Sequence, residues 1–192
     1  MKTSYLFLAE GFEEVEALSV VDVLRRSGAP IFTVSVTGDA QVKGAHGITV
    51  TADTVYADAD FSDANWLILP GGLPGAPNLA AFEPLCELLK AHYANGGNVA
   101  AICASPAVVL APLGILDGKE AICYPGFETA FNGSTTVSAK PVVIDGNLIT
   151  ANGPASAMVF ALAIANETVG PQDATTVAEG LLFYDRHEEF YF

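Results

Sequence analysis

The segment Asn98-Val99-Ala100-Ala101-Ile102-Cys103-Ala104-Ser105-Pro106 decides how the rest of the chain is read. Asn98 to Ile102 are small and apolar and follow the turn signal Asn95-Gly96-Gly97, the pattern of a short buried strand. A helix start comes directly afterwards. Ser105 suits the N-cap, and Pro106 suits the first helical position, where no backbone N–H is missed. Cys103 is thereby placed on a sharp strand-to-helix turn, the arrangement of a nucleophile elbow with Cys in place of Ser. The positive end of a helix dipole at that point favours the thiolate, the form of sulfur that attacks electrophiles. Most free cysteines merely fill space in a core. The turn and the cap together favour a reactive Cys103.

Outward from this elbow, buried strands alternate with amphipathic helices. Tyr5 to Ala9 is an apolar run of strand length, and Glu13 to Ser27 follows as a helix. Acids lie in its first turn, Arg25 and Arg26 in its last, and Gly28 just beyond, an order that complements the helix dipole and suits a glycine cap. Ile31 to Val36 reads as the second strand, and Gln41 to Val50 as a small hairpin carrying Gly44, His46 and Gly47. Trp66 to Leu69 is a strand ending in Pro70-Gly71-Gly72-Leu73-Pro74-Gly75, and a helix covers Glu83 to Tyr93. Beyond the elbow, Glu120 to Tyr124 reads as a strand, and Val137 to Thr150 holds a hairpin turning at Asp145-Gly146-Asn147. Asn152-Gly153-Pro154 opens a helix to about Thr168, Thr175 to Phe183 gives another, and an aromatic tail (Phe190, Tyr191, Phe192) follows. The expected fold is α/β, a mostly parallel sheet with helices on both faces. In such sheets ligands bind beyond the carboxyl ends of the strands. The loops at Glu10-Gly11, Pro70-Gly71-Gly72, Cys103-Ala104 and Tyr124-Pro125 then share one edge.

Composition narrows the function class. A chain of 192 residues, 51% hydrophobic and free of repeats or linkers, is expected to form one domain spanning 1–192. The 8 basic and 22 acidic residues leave a net charge of −14, which argues against a nucleic-acid partner and against attraction to anionic membranes. Cys86, Cys103 and Cys123 form no C-x-x-C pair and are odd in number, as in a reduced protein. No stretch has the length and apolarity of a signal or membrane-spanning segment, so the expected compartment is the cytoplasm.

A nucleophilic Cys needs a nearby group to set its protonation. The histidines are His46, His92 and His187, and none follows Cys103, where Ala104 stands. The alternative is a carboxyl group from Glu13, Glu14 or Glu16. Glu13 and Glu14 read best as a solvated helix start. For Glu16, one turn before Val20 and two before Val23, spacing leaves an inward and a solvated position equally open. An inward Glu16 beside sulfur would have its pKa raised by desolvation and like charge. The Gly71-Gly72 turn lets a backbone N–H approach a substrate oxygen and, with the Ala104 N–H, supplies an oxyanion hole. No Cys/His set has metal-ligand spacing, and no phosphate-loop glycine pattern is present. Cys86 and Cys123 read as packing residues, and Tyr124 either lines a pocket or caps the core.

Glu10-Gly11-Phe12-Glu13-Glu14-Val15-Glu16, Val21 to Gly28, Leu69-Pro70-Gly71-Gly72, Ala101 to Pro106 and Gly153-Pro154 resemble, in order and over nearly the whole chain, the ThiJ/PfpI superfamily. The resemblance implies a flavodoxin-like three-layer sandwich and a homodimer. It implies that Cys103 is an oxidation-prone nucleophile, Glu16 its partner carboxyl, and the Gly72 and Ala104 amides the oxyanion hole. Gly71, Tyr124, Pro154 and His46 are then pocket residues, Pro154 near the pocket or the dimer contact. The implied activities are a cofactor-free glyoxalase or protein deglycase acting on small carbonyls such as methylglyoxal, or a non-enzymatic oxidative-stress sensor or chaperone working through Cys103. Ala104 excludes the Cys-His dyad of protease-like branches. Many relatives have His where this chain has Tyr124, and Arg near His46. Tyrosine, with its high reference pKa, is a poor base at neutral pH.

Overall fold

A computed structural model describes residues 1–183. The elements that build the sheet are β1 (Thr3–Leu8), β2 (Ile31–Ser35), β5 (Thr54–Val55), β6 (Ala64–Leu69), β7 (Asn98–Ile102), β10 (Val142–Asp145) and β11 (Leu148–Ala151). They form a seven-stranded sheet in the order β10-β11-β7-β6-β1-β2-β5, parallel except for the β10–β11 hairpin. Its inner order β2-β1-β6-β7-β11 is the flavodoxin-like 2-1-3-4-5 arrangement. A separate hairpin, β3 (Gln41–Lys43) with β4 (Thr49–Thr51), leans over the carboxyl end of β1.

Strand side chains alternate between two helical layers, as their two-residue period requires. Leu6, Leu8, Trp66, Ile68, Ala100 and Ile102 pack with α1 (Glu14–Arg26), α4 (Ala157–Val169) and α5 (Pro171–Gly180). Phe7, Leu67, Leu69, Val99 and Ala101 face the opposite way, onto α2 (Gly75–Ala81) and α3 (Glu83–Ala94). With both faces covered, the strands are near-continuous apolar runs. Leu85 and Leu89 of α3 are fully buried, each worth about 1.5–3 kcal/mol relative to exposure. Gly28 takes the left-handed conformation that ends α1, and its N–H bonds Arg25 O.

Several local expectations change. The strand expected over 120–124 is reduced to β8 (Glu120–Ala121), paired outside the main sheet with β9 (Thr136–Val137). Ile122 N–H bonds instead to Thr150 Oγ1, and Tyr124 N–H to Cys103 O. Val137 therefore joins β9 rather than the later hairpin. Helix α2, in a stretch where no element was expected, packs Leu79 into the core. A short 3₁₀ turn, Pro154–Ser156, precedes α4, and the last helix starts at Pro171 rather than Thr175. His187 and the aromatic tail Phe190, Tyr191 and Phe192 lie outside the described residues.

Candidate active site

Three parallel strands deliver the site to one edge. Strand β7 ends at Cys103, which has φ 64°, a conformation that costs a non-glycine residue about 1–3 kcal/mol. The strained backbone is held from both sides: Cys103 N–H donates to Ala151 O at 2.9 Å, and Tyr124 N–H donates to Cys103 O at 2.7 Å. The strand-to-helix elbow is thus present, but two of its details differ from expectation. Ser105 is itself helical and caps nothing; its buried hydroxyl donates to Pro70 O, tying the elbow to the Gly71-Gly72 loop. The segment Pro106–Leu110 is a single π-helical stretch of 5 residues, too short to present the dipole of a full helix.

Glu16 lies inward, with no exposed surface. Its Oε2 accepts the Gly71 N–H at 2.7 Å, and its Oε1 has no hydrogen-bond partner among the described residues. Gly71 is what brings carboxyl and thiol together. A Cβ there would sit 2.5 Å from Cys103 Cβ and 2.8 Å from Glu16 Oε2, so no side chain fits. At Gly72, φ is 94° and a Cβ would meet Gly11 O at 2.3 Å. The loop after β6 therefore lies against the loop after β1, joined also by Glu13 N–H donating to Gly71 O.

Burial raises the Glu16 carboxyl to about 7; the Gly71 N–H and the Cys103 thiol oppose the shift, and Glu13 adds to it. Burial also pushes the Cys103 thiol up to about 12, with the Glu16 charge acting in the same direction. The Gly72 and Ala104 N–H groups at the sulfur favour the anion without overcoming these effects. Desolvation and the Glu16 charge thus act against the thiolate that a helix dipole would favour, and a single π-helical turn does not offset them. A carboxylate that binds a proton near neutrality sits instead within reach of the thiol proton.

Cys103, Gly72 and Ala104 line a cavity of about 420 Å³. Tyr124, Phe127, Leu73 and Pro154 supply its apolar wall, and Glu13 and His46 its acidic and basic side chains. The Tyr124 and Phe127 rings meet edge-to-face at 6.3 Å. Gly71 and Glu16 lie behind the sulfur rather than among the lining residues. Cys123 is fully buried and Cys86 sits half-buried on α3, its thiol directed at Ala80 O.

Glu14 corrects the reading of a solvated helix start. It is 3% exposed, and it accepts the backbone N–H and the Nδ1 of His46, each at 2.8 Å. Burial alone would raise its pKa; these hydrogen bonds and the Ile48 N–H reverse that and lower it. Glu13 is also largely covered, its Oε2 3.6 Å from His46 Nδ1. Periodicity carried the signal for Glu14, because it precedes the buried Ala17 and Val21 by three and seven positions, as Glu16 precedes Val20 and Val23. Glu13, Glu14 and His46 bring one polar atom each within 4.8 Å of one another. His46 Nδ1 lies 2.8 Å from Glu14 Oε2, which makes this a hydrogen-bonded cluster rather than a set of free lone pairs.

The DJ-1/PfpI family model matches residues 2–167, which include the elbow, Glu16 and Gly71-Gly72. The chain belongs to the DJ-1/PfpI family. Drosophila melanogaster dj-1beta is 38% identical over 182 residues, covering 94% of this chain and 97% of that protein. A Caenorhabditis elegans relative named glutathione-independent glyoxalase DJR-1.2 is 33% identical, with 90% of this chain and 91% of that protein covered. The chain spans 40% of the length of the Arabidopsis thaliana DJ-1 homolog B, to which it is 37% identical. Among solved structures, oxidized Toxoplasma gondii DJ-1 superposes with a TM-score of 0.91 at 34% identity, covering 95% of this chain and 99% of that one. The flavodoxin-like order of the sheet is thus the DJ-1/PfpI fold.

Proposed function

We propose that this protein is a cofactor-independent, cysteine-dependent glyoxalase or deglycase acting on small reactive carbonyls such as methylglyoxal. The observation that carries the reading is the Glu16 carboxyl held against Cys103 across Gly71, directly behind the cavity that Cys103 lines. The glyoxalase name of the nematode relative supports it. Cys103 is the nucleophile and Glu16 the general acid and base. Glu16 takes the thiol proton as sulfur adds to the aldehyde carbon, and the Gly72 and Ala104 N–H groups receive the developing oxyanion. Protonation of that oxygen gives a hemithioacetal. Glu16 then takes the hydrogen of the former aldehyde carbon and returns it to the neighbouring carbon, leaving a thioester. Water cleaves the thioester, releasing a 2-hydroxy acid and the free thiol. A carboxyl that titrates near 7 is suited to both directions of this transfer at neutral pH.

The cavity wall of Tyr124, Phe127, Leu73 and Pro154 holds the carbon skeleton. A second copy of the chain is the proposed protein partner, supported by the exposed apolar Val15 and Leu18 of α1 and Ile48 of the hairpin. The cytoplasm is the proposed compartment; among the described residues no helix is long and apolar enough to cross a membrane. The test is methylglyoxal consumption with lactate detection for wild type, Cys103→Ala and Glu16→Gln. Lactate from wild type alone is expected. Turnover retained in Glu16→Gln discards its acid–base role, and turnover retained in Cys103→Ala discards the nucleophile.

One observation favours a second use of the same sulfur: the Toxoplasma relative was solved in an oxidized form. In a sensor, peroxide would convert Cys103 to a sulfinate, stabilised by protonated Glu16 and the Gly72 and Ala104 amides. Oxidation of Cys103 well before Cys86 and Cys123 is its requirement.

A further inference from the structure

The mechanism above serves one substrate oxygen and leaves the other without a partner. The hemithioacetal carries its hydroxyl on one carbon and a ketone on the next, and moving hydrogen between the carbons requires a proton to leave the first oxygen and reach the second. Glu16, occupied with the carbon-bound hydrogen, cannot do both at once. Among the cavity-lining residues His46 is the sole basic side chain, and the fold constrains it closely.

The turn between β3 and β4 is built around the Glu14 carboxyl. Glu14 Oε1 accepts the His46 backbone N–H at 2.8 Å and the Ile48 N–H at 3.4 Å, while Oε2 faces His46 Nδ1 at 2.8 Å. A Cβ at Gly44 would fall 2.3 Å from Glu14 Oε1, so only glycine lets the turn close on the carboxylate. Gly47, with φ 85°, completes the reversal. Glu14 is buried whereas the imidazole is 68% exposed, on the cavity. An Nδ1–H committed to Glu14 leaves Nε2 as the nitrogen available to a bound molecule. A buried carboxylate orienting an imidazole beside a nucleophile is the arrangement that fixes tautomer and ring orientation in hydrolytic triads.

We propose that His46, oriented by Glu14, is a catalytic acid–base residue that carries the oxygen-bound proton in the glyoxalase step, in parallel with Glu16 on the carbon-bound one. This rests on the glyoxalase reading. Imidazolium Nε2–H protonates the ketone oxygen as Glu16 removes hydrogen from the adjacent carbon, giving an enediol on sulfur. Neutral Nε2 then takes the proton of the first oxygen as Glu16 delivers its hydrogen to the second carbon. Both groups return to their starting states, and the substrate has been isomerised to the thioester without oxidant or reductant. Glu14 is a positioning residue that acts through His46. The charged groups beside the imidazole are Glu13 and Glu14 from α1; Lys43 lies on the same hairpin, and Cys103 and Tyr124 line the same cavity. The hydrogen bond to Glu14 and the charges of Glu13 and Glu14 raise the His46 pKa above its ordinary value.

The experiment compares wild type, His46→Asn and Glu14→Gln in methylglyoxal turnover from pH 5.5 to 9, with iodoacetamide alkylation of Cys103 as a parallel measure of the thiol. In His46→Asn, kcat should fall by about 10²-fold or more, lose its alkaline limb, and recover in part with added imidazole, while alkylation stays within about twofold. In Glu14→Gln the alkaline limb should move to lower pH. A kcat in His46→Asn within about threefold of wild type, or alkylation falling in step with turnover, overturns the proposal; so does an unmoved limb in a folded Glu14→Gln. Lactate formation absent from wild type or retained in Cys103→Ala would instead show that the glyoxalase reading itself had failed, and the role of His46 with it.

Discussion

Replacing Glu16 by Gln should make the protein more stable, by an amount that grows with pH. In the native state the Glu16 carboxyl is raised from 4.5 to about 7, chiefly by burial. The native state therefore holds its proton more tightly than the unfolded chain. Between these two values the native state binds more protons, so stability falls as pH rises through the window and the loss is complete just above 7. At 1.36 kcal/mol per pH unit, the ionised carboxylate costs the native state about 3 kcal/mol on the upper plateau. Gln has the same shape, keeps an oxygen for the Gly71 N–H, and carries no charge. The variant should exceed wild type by about 3 kcal/mol at pH 8, by about 2 kcal/mol at pH 6, and by little at pH 4.5. Urea unfolding followed by fluorescence of Trp66, the single tryptophan and a buried one, reads this directly at one fixed protein concentration. The same variant should be catalytically inactive, so activity and stability move in opposite directions. A stability difference independent of pH, or one that favours wild type at pH 8, would refute the buried, proton-sharing Glu16.

Gly71→Ala should separate the pair, since its Cβ would lie 2.5 Å from Cys103 Cβ; turnover should drop at least tenfold, with destabilisation of about 1–3 kcal/mol from overpacking, read by the lactate assay and urea midpoints. Ser105→Ala should cost about 1–3 kcal/mol because it leaves the buried Pro70 carbonyl without its partner, and it should also lower kcat by loosening the elbow against the Gly71-Gly72 loop. His92 is pushed below 6.5 chiefly by burial, its Nε2 3.2 Å from Asn98 O. The unfolded chain takes up that proton first, so the stability His92 contributes falls as pH drops below 6.5. The difference between wild type and His92→Gln, measured by thermal melts, should shrink toward acid and stay constant above neutrality.

The fold was legible because both sheet faces are covered. Strands such as β1, β6 and β7 then appear as uninterrupted apolar runs, and the helices between them carry their own charge order and glycine stops. Helix α2 was not legible: it begins at Gly75 and contains Pro77, and its evidence is tertiary, the burial of Leu79. The strand expected over 120–124 carries the β-favouring Ile122 and Tyr124, but the N–H groups of those two residues are claimed by Thr150 and Cys103, which no local pattern reveals. At the site, the elbow could be read from Cys103 through Pro106, and the spacing of Glu16 from Val20 and Val23 allowed its inward position. The direction of the thiol pKa could not be read. It depends on burial and on a carboxyl 87 positions away in sequence, against a helical segment whose π character sequence does not announce. Glu14 was passed over because acids at a helix start are ordinarily solvated; its burial is caused by the hairpin turn that closes over it at Gly44.

In the proposed reaction Cys103 adds to a dicarbonyl with Glu16 as its proton partner. Acid-quenched wild type, mixed with methylglyoxal at pH 7 and mapped by peptide mass spectrometry, tests it most directly. A transient adduct of one methylglyoxal is expected on Cys103 and not on Cys86 or Cys123; it should disappear as lactate forms and persist without lactate in Glu16→Gln. Adducts spread over all three cysteines, or lactate formed at full rate with Cys103 unmodified throughout, would contradict it.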